Sequence, residues 1–289
     1  MHYQCFFCHI RSFEKLLKEQ PIKEEDKKNL TLEFLNWFGK MNRDDKSPDI
    51  TRSIHQKMKE ILGSSDPYRE IKKSCNDYLL QQYPRLKERV LTSKDPFTTA
   101  LKLAIAGNII DYAASPDHSV DETIEYVMES DFAINHVQKL KERIQKAKTI
   151  LYLGDNAGEI VLDRLFLETL NHPGIHFAVR GEPIINDVTL EDARYVQMER
   201  YAKVISNGYG APSTLVEKSS AEFQDLFYRA DLIISKGQGN LEGLLENQEQ
   251  SIFYLLMVKC NLIGSRLGVE KGNFVVCHNK EIPVEAEID

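Results

Sequence analysis

From about residue 147 onward the chain repeats one unit: a short apolar run, a polar or glycine-containing turn, then a stretch with helical spacing. The runs are TILYLGDN, IHFAVRGEP, AKVISNGYG, DLIISKGQGN, SIFYLLMVK and NFVVC. Helix-patterned segments such as EIVLDRLFLETL, LEDARYVQMER and LVEKSSAEFQDLFYRA separate several of them. A strand–helix alternation of this kind folds as a parallel sheet with crossover helices. The expectation for 147–289 is therefore a Rossmann-like, mainly parallel, three-layer α/β/α domain.

Before residue 147 the period is different. Apolar residues recur at three- and four-residue spacing in SFEKLLKEQ, LTLEFLNWFGKM, IHQKMKEIL, YREIKKSCNDYLLQQY and PFTTALKLAIAGNIIDYAA, which predicts an all-helical domain over 1–146. Asp66-Pro67 and Asp95-Pro96 read as helix starts, with Asp as the cap and Pro in the first turn.

Composition narrows the class of partner. Of 289 residues, 42% are hydrophobic and 28% charged, as in a soluble globular protein, and the formal charge of -7 disfavours a nucleic-acid backbone. An anionic substrate would need a local positive centre. No long uncharged apolar stretch marks a membrane span, and MHYQCFFCHIRSFEK lacks the pattern of a secretory leader, so a cytoplasmic protein is expected. Five cysteines, an odd number, then read as reduced thiols. Cys5-Phe6-Phe7-Cys8-His9 has the haem-attachment spacing without the export signal that such maturation needs. A separate zinc at Cys5 and Cys8 would require further ligands, with Cys260 or Cys75 as candidates, and buried free thiols are the default.

In open parallel sheets, ligands bind beyond the carboxyl ends of the strands. The first apolar run ends in Asp155-Asn156, two adjacent oxygen donors suited to a hard cation. The polar turn after the second run, Arg180 to Asp192, offers a third oxygen ligand in Asp192, with Asp187 competing. Both Asn156-x-x-Glu159 and Thr189-x-x-Asp192 also fit capping-box spacing, so helix capping is a full alternative. After the fourth run, Lys236 can neutralise phosphate while Gly237, Gly239 and Asn240 shape an anion-binding turn. This is neither a Walker loop nor a dinucleotide fingerprint. Asn207 and Gly208, after the third run, are candidates to seat the rest of a substrate. Asn108 and Asp111 in the helical half share a helix face and are candidates to border the cleft.

Taken together, GDNAGEIVLDRL, RGEPIINDVTLEDA, DLIISKGQGNLEGL and AIAGNIID resemble the damage-control phosphatase family, catalogued as domain of unknown function 89. The N-terminal CxxC with KGQGN is similar to its prokaryotic branch. The resemblance implies a helical region on a Rossmann-like domain, with Mn²⁺, Mg²⁺, Co²⁺ or Ni²⁺ held by Asp155, Asn156 and Asp192. It also implies an anion-binding Lys236 and a small phosphorylated metabolite as substrate, such as a sugar phosphate or a damaged intermediate. Glu159 is a further catalytic candidate, orienting water or substrate hydroxyls. Two other classes stay open: a non-catalytic metal- or metabolite-binding protein, and a methyltransferase using S-adenosylmethionine, since fold alone does not separate them. Oligomeric state is not readable from the sequence.

Overall fold

The computed structural model describes residues 2–20, 22–41, 46–107 and 120–282. They form two compact units, Met1–Ser64 and Ser65–Asp289, so the change of texture near residue 147 lies inside the second unit. Asn108 and Asp111, the expected cleft residues, lie outside the described residues.

The first unit has three helices: α1 (Tyr3–Glu19), α2 (Glu24–Phe38) and α3 (Ser47–Leu62). Phe13 of α1 stacks on Phe34 of α2 with ring centroids 4.0 Å apart. Leu16 and Leu17 are buried beside Phe13 in sequence, as are Ile54 and Met58 of α3, the spacing that turns one helical stripe inward. Gly63 closes α3 at φ +61°, where a side chain would be strained.

The second unit opens with α4 (Arg69–Thr92), α5 (Pro96–Gly107) and α6 (Val120–Glu129). The cap expected at Asp95 is present, since its carboxylate accepts from Thr98 N and Oγ1. The chain then runs β1 (Phe132–Asn135), α7 (Val137–Lys146), β2 (Ile150–Leu153), α8 (Glu159–Leu170), β3 (Ile175–Val179), α9 (Leu190–Tyr195) and β4 (Lys203–Ser206). It finishes with α10 (Ala221–Arg229), β5 (Leu232–Lys236), α11 (Gly237–Leu244), β6 (Ile252–Met257), α12 (Asn261–Leu267) and β7 (Phe274–His278). Strand β1 departs from the all-helical reading of 1–146. Its four residues alternate between half-buried and exposed, too short a run to stand out from the helices on either side.

The seven strands form one sheet in the order β1-β7-β6-β5-β2-β3-β4, parallel except for the β6–β7 pair. The two-residue period of a strand sorts its side chains. Ile150 and Tyr152 of β2 join the core shared with α4, α5 and α8, whereas Leu151 and Leu153 join the core shared with α10 and α11. Apolar cores on both faces explain the unbroken apolar runs. After β2 the chain winds outward to β3 and β4, then returns to place β5 on the other side of β2. Strand order reverses between β2 and β5, the place where a parallel sheet opens a crevice at its carboxyl end.

Candidate functional site

Both strands flanking that reversal end in the expected residues: Gly154-Asp155-Asn156 after β2, and Lys236 closing β5. Gly154 is required by close approach, because a Cβ there would stand 2.7 Å from the Phe177 ring. The loop after β2 is stitched to the turn after β3. Val188 N donates to Asp155 O at 2.9 Å, Ala157 N donates to Asn186 O at 2.8 Å, and Asn156 bridges Asp187. That turn holds Ile185 at φ +44°, a costly conformation for a β-branched residue that the surrounding hydrogen bonds must enforce.

These contacts set Asp187 beside Asp155. Burial first, then the charges of Glu159 and Asp187, push the Asp155 carboxyl well above the usual carboxylate range, with Arg180 and Lys259 pulling it back. The Asn156 amide nitrogen donates to Asp155 Oδ2 at 2.8 Å and to Glu159 Oε2 at 3.1 Å. With its nitrogen so occupied, the Asn156 side chain offers Oδ1 as its donor atom toward a cation.

Lys236 does not meet the expectation of a phosphate-binding lysine in this geometry. It is 0% exposed, and its Nζ donates to Glu159 Oε1 at 2.6 Å, Asp163 Oδ1 at 2.5 Å and Ala104 O at 2.8 Å. An ammonium has three protons, and all three are taken. Asp163 lies one helical turn beyond Glu159 on α8 and also accepts from Tyr152 OH at 2.7 Å. Burial raises the Asp163 carboxyl to about 7 against the opposing pull of Lys236. Its Oδ2 has no hydrogen-bond partner.

Asp192 is likewise engaged elsewhere than at Asp155. Thr189 and Asp192 form a complete capping box at the start of α9, with Thr189 N and Oγ1 donating to Asp192 Oδ2 at 2.9 and 2.8 Å. Lys72 Nζ donates to the same oxygen at 3.1 Å and also pairs with Asp66 at 2.8 Å, while Asn76 Nδ2 reaches Asp192 Oδ1 at 3.4 Å. Asn76 also accepts from Gly158 N at 2.7 Å, so one α4 side chain braces the starts of both α8 and α9. Asp192 thus supports the site's walls, and Asp187 is the acidic residue of this turn that faces Asp155.

The remaining candidates are mostly framework. Asn240 donates to Gly154 O at 3.2 Å and Lys236 O at 2.8 Å, tying together the ends of β2 and β5. Gly239 passes close to Pro212, whose carbonyl would lie 2.5 Å from a Cβ, and Gly237 takes φ +75° at the first position of α11. Asn207 Oδ1 accepts from Gly181 N and Tyr209 N, both at 2.9 Å, and Gly208 follows at φ +75°. These residues shape the turns around the crevice through their backbones.

Sequence reasoning missed Arg180, Asp163, Lys72 and Asn76. The i, i+4 spacings Glu159–Asp163 and Lys72–Asn76 were the available signals. Nothing in the sequence marks Arg180, which leaves β3 as the residue after Val179 and pairs through Nε with Asp187 Oδ2 at 2.7 Å.

Among the described residues no three His, Cys, Asp or Glu side chains form a metal-binding group. Cys5 and Cys8 stand one turn apart on α1, and none of the five cysteines is in a disulfide. The set at the β2 end is two carboxylates and an amide, Asp155, Asp187 and Asn156, the oxygen donors a hard cation takes. Charge makes the same point. Asp155, Glu159, Asp163 and Asp187 are buried with Lys236 and Arg180, and burial together with this crowding of carboxyls raises Asp155 and Asp163. A divalent cation would relieve that crowding by holding Asp155 and Asp187 in their charged forms.

Comparison with known proteins shows the family. Residues 1–275 match the model of the damage-control phosphatase ARMT1-like domain. A damage-control phosphatase of Pyrococcus horikoshii is 32% identical over 97% of this chain and 98% of its own. A damage-control phosphatase of Archaeoglobus fulgidus is 35% identical over 78% of this chain and 80% of its own. The crystal structure of that P. horikoshii protein, a member of the domain of unknown function 89 family, superposes with a TM-score of 0.88 at 29% identity, covering 96% of this chain and 99% of that one. No helix among the described residues is long and apolar enough to cross a membrane. The chain belongs to the damage-control phosphatase ARMT1-like family.

Proposed function

We propose that this protein is a divalent-metal-dependent phosphatase of small phosphorylated metabolites, with Asp155, Asn156 and Asp187 as the metal's protein ligands. One observation carries the reading: the clustering of buried carboxyls at Asp155, Glu159 and Asp187 where strand order reverses, which pushes Asp155 well above the usual carboxylate range. The damage-control phosphatases among the relatives support the reaction class.

The bound cation would supply Lewis-acid stabilisation of charge on the phosphoryl oxygens. The chain's own residues supply position. Asp155 and Glu159 hold the Asn156 amide nitrogen, leaving its oxygen as the metal-binding atom, and Lys236 fixes Glu159 by one of its carboxylate oxygens. Lys236 is thereby a positioning residue in place of the phosphate contact expected from sequence. Arg180 orients Asp187 through a 2.7 Å ion pair. Residues fixed in this way lose little further freedom when substrate arrives, which is how a preorganised polar site lowers a barrier.

The test is hydrolysis of an aryl phosphate and of a panel of sugar phosphates by purified protein. Activity with Mn²⁺, Mg²⁺, Co²⁺ or Ni²⁺ that disappears on chelation and returns with metal supports the reading. Activity undiminished by thorough chelation removes the metal. Tight metal binding with no phosphate release across a broad panel favours a non-catalytic binding protein.

A further inference from the structure

We propose that Arg180 is the cation that contacts the phosphoryl oxygens of the substrate. The proposal rests on the phosphatase reading above. A guanidinium carries five N–H donors in a rigid plane. At Arg180, 2% exposed, two edges are committed: Nε donates to Asp187 Oδ2 at 2.7 Å, and Nη1 donates to Thr214 Oγ1 at 3.2 Å. Thr214 Oγ1 donates in turn to Asn240 Oδ1 at 2.8 Å, and Asn240 is anchored on the carbonyls of Gly154 and Lys236. The guanidinium is therefore locked to both strand ends that frame the crevice. The third group, Nη2, is buried and has no hydrogen-bond partner. It points toward Asp155 Oδ1 at 3.5 Å, within ion-pair distance yet making no hydrogen bond.

A buried cationic donor left without a hydrogen bond costs free energy, and Nε and Nη1 of the same guanidinium are both satisfied. The two buried lysines of the unit have no comparable vacancy in their bonding. Lys236 spends its three protons on Glu159, Asp163 and Ala104 O, and Lys72 is held between Asp66 and Asp192. Nη2 lies on the Asp155 side, so an oxygen accepting from it sits next to the proposed cation. That oxygen belongs to the group being transferred, not to a distant part of the substrate. One hydrogen bond from a charged donor, at a position fixed in advance, is the arrangement that stabilises charge on a phosphoryl group.

The experiment uses the full chain with Mn²⁺, measuring aryl phosphate hydrolysis, inhibition by inorganic phosphate, and Mn²⁺ affinity separately. Arg180→Gln should raise the inhibition constant of phosphate roughly 10- to 100-fold, the worth of one hydrogen bond to a charged group. Arg180→Lys, which keeps charge but not the fork, should fall between it and wild type. Mn²⁺ affinity should fall less than phosphate affinity in both, any fall reporting the lost Arg180–Asp187 pair. Thr214→Val removes the Nη1 acceptor without touching Asp187 and should weaken phosphate binding by roughly 3- to 10-fold. If Arg180→Gln loses Mn²⁺ or fails to fold, Thr214→Val decides, and unchanged phosphate inhibition there overturns the proposal. Equal inhibition of wild type and Arg180→Gln overturns it alone. So does a Lys259→Ala variant that loses phosphate affinity while Arg180→Gln keeps it, since Lys259 also acts on the Asp155 charge. A wild type that binds Mn²⁺ but neither turns over nor responds to phosphate removes the phosphatase reading, and the proposal with it.

Discussion

Asp187 and Asp192 share one turn and carry different loads, and substitution separates them. Asp187→Asn removes an anionic oxygen facing Asp155, so Mn²⁺ affinity measured by titration should fall sharply and most turnover with it. Asp192→Asn keeps an acceptor for Thr189 but leaves Lys72 with Asp66 alone, so it should cost about 1–3 kcal/mol of stability with turnover largely kept. Full activity in Asp187→Asn with loss in Asp192→Asn would reverse the assignment. The sequence held the clue to Asp192, because Thr189-x-x-Asp192 is a capping box in spacing and in fact. It could not rank the two acids, since what ranks them is the bridge from Asn156 to Asp187 across two loops. Asp163 supports a second prediction. Its folded-state value of about 7 is above the ordinary carboxyl value of 3.8, so the native state holds the proton more tightly than the unfolded chain. The stability this adds is fully present below about pH 4 and is lost as pH rises through 7. In chelated protein the melting temperature of Asp163→Asn minus that of wild type should therefore climb between pH 4 and 7. A flat difference would mean that Asp163 is ionised throughout.

At the scale of elements, the contact of α5 with α8 controls the site from behind. Gly107, the last residue of α5, lies so close to α8 that a Cβ would be 2.9 Å from Glu159 Cα. Gly107→Ala should cost roughly 1–3 kcal/mol by forced separation of the two helices. Because Ala104 O also accepts from Lys236, the same shift should loosen the Lys236–Glu159 pair and lower Mn²⁺ affinity. A variant as stable and as metal-avid as wild type would show that this packing has slack. The strands β2, β3, β5, β6 and β7 were readable because a sheet covered on both faces needs unbroken apolar runs. The four residues of β1 were not, because their half-exposed alternation resembles one turn of an amphipathic helix. Lys236 was misjudged for a related reason. Three of the facts that fix its role, Ala104 O, Glu159 and Asp163, come from α5 and α8, far from β5 in the chain.

Across the whole molecule, the two units carry opposite responses to acid. In Met1–Ser64, burial lowers His9 and His55 to about 4, so both are neutral in the folded state and take up protons more readily once it unfolds. Their contribution is present above about pH 6.5 and is lost as pH falls through 4. The single tryptophan, Trp37, lies in this unit and reports on it. Its fluorescence transition should move to lower temperature between pH 6.5 and 4, and His55→Gln should flatten that slope. An unchanged transition would place these histidines in contact with water. The seven-stranded sheet has a further consequence, set by the order in which its parts leave the ribosome. Strand β1 waits for β7, more than a hundred residues later, before it gains a neighbour. The central strand β2 acquires β3 early but gains β5 only after the intervening segments have been made. Glu159 and Asp163 therefore emerge before the lysine that will neutralise them, and the acidic pocket is sealed late, when Lys236 arrives on β5. Such long-range pairing is slow to form. Until β6 and β7 appear, the half-built sheet keeps open edges, and these two strands close it over β5 and β1.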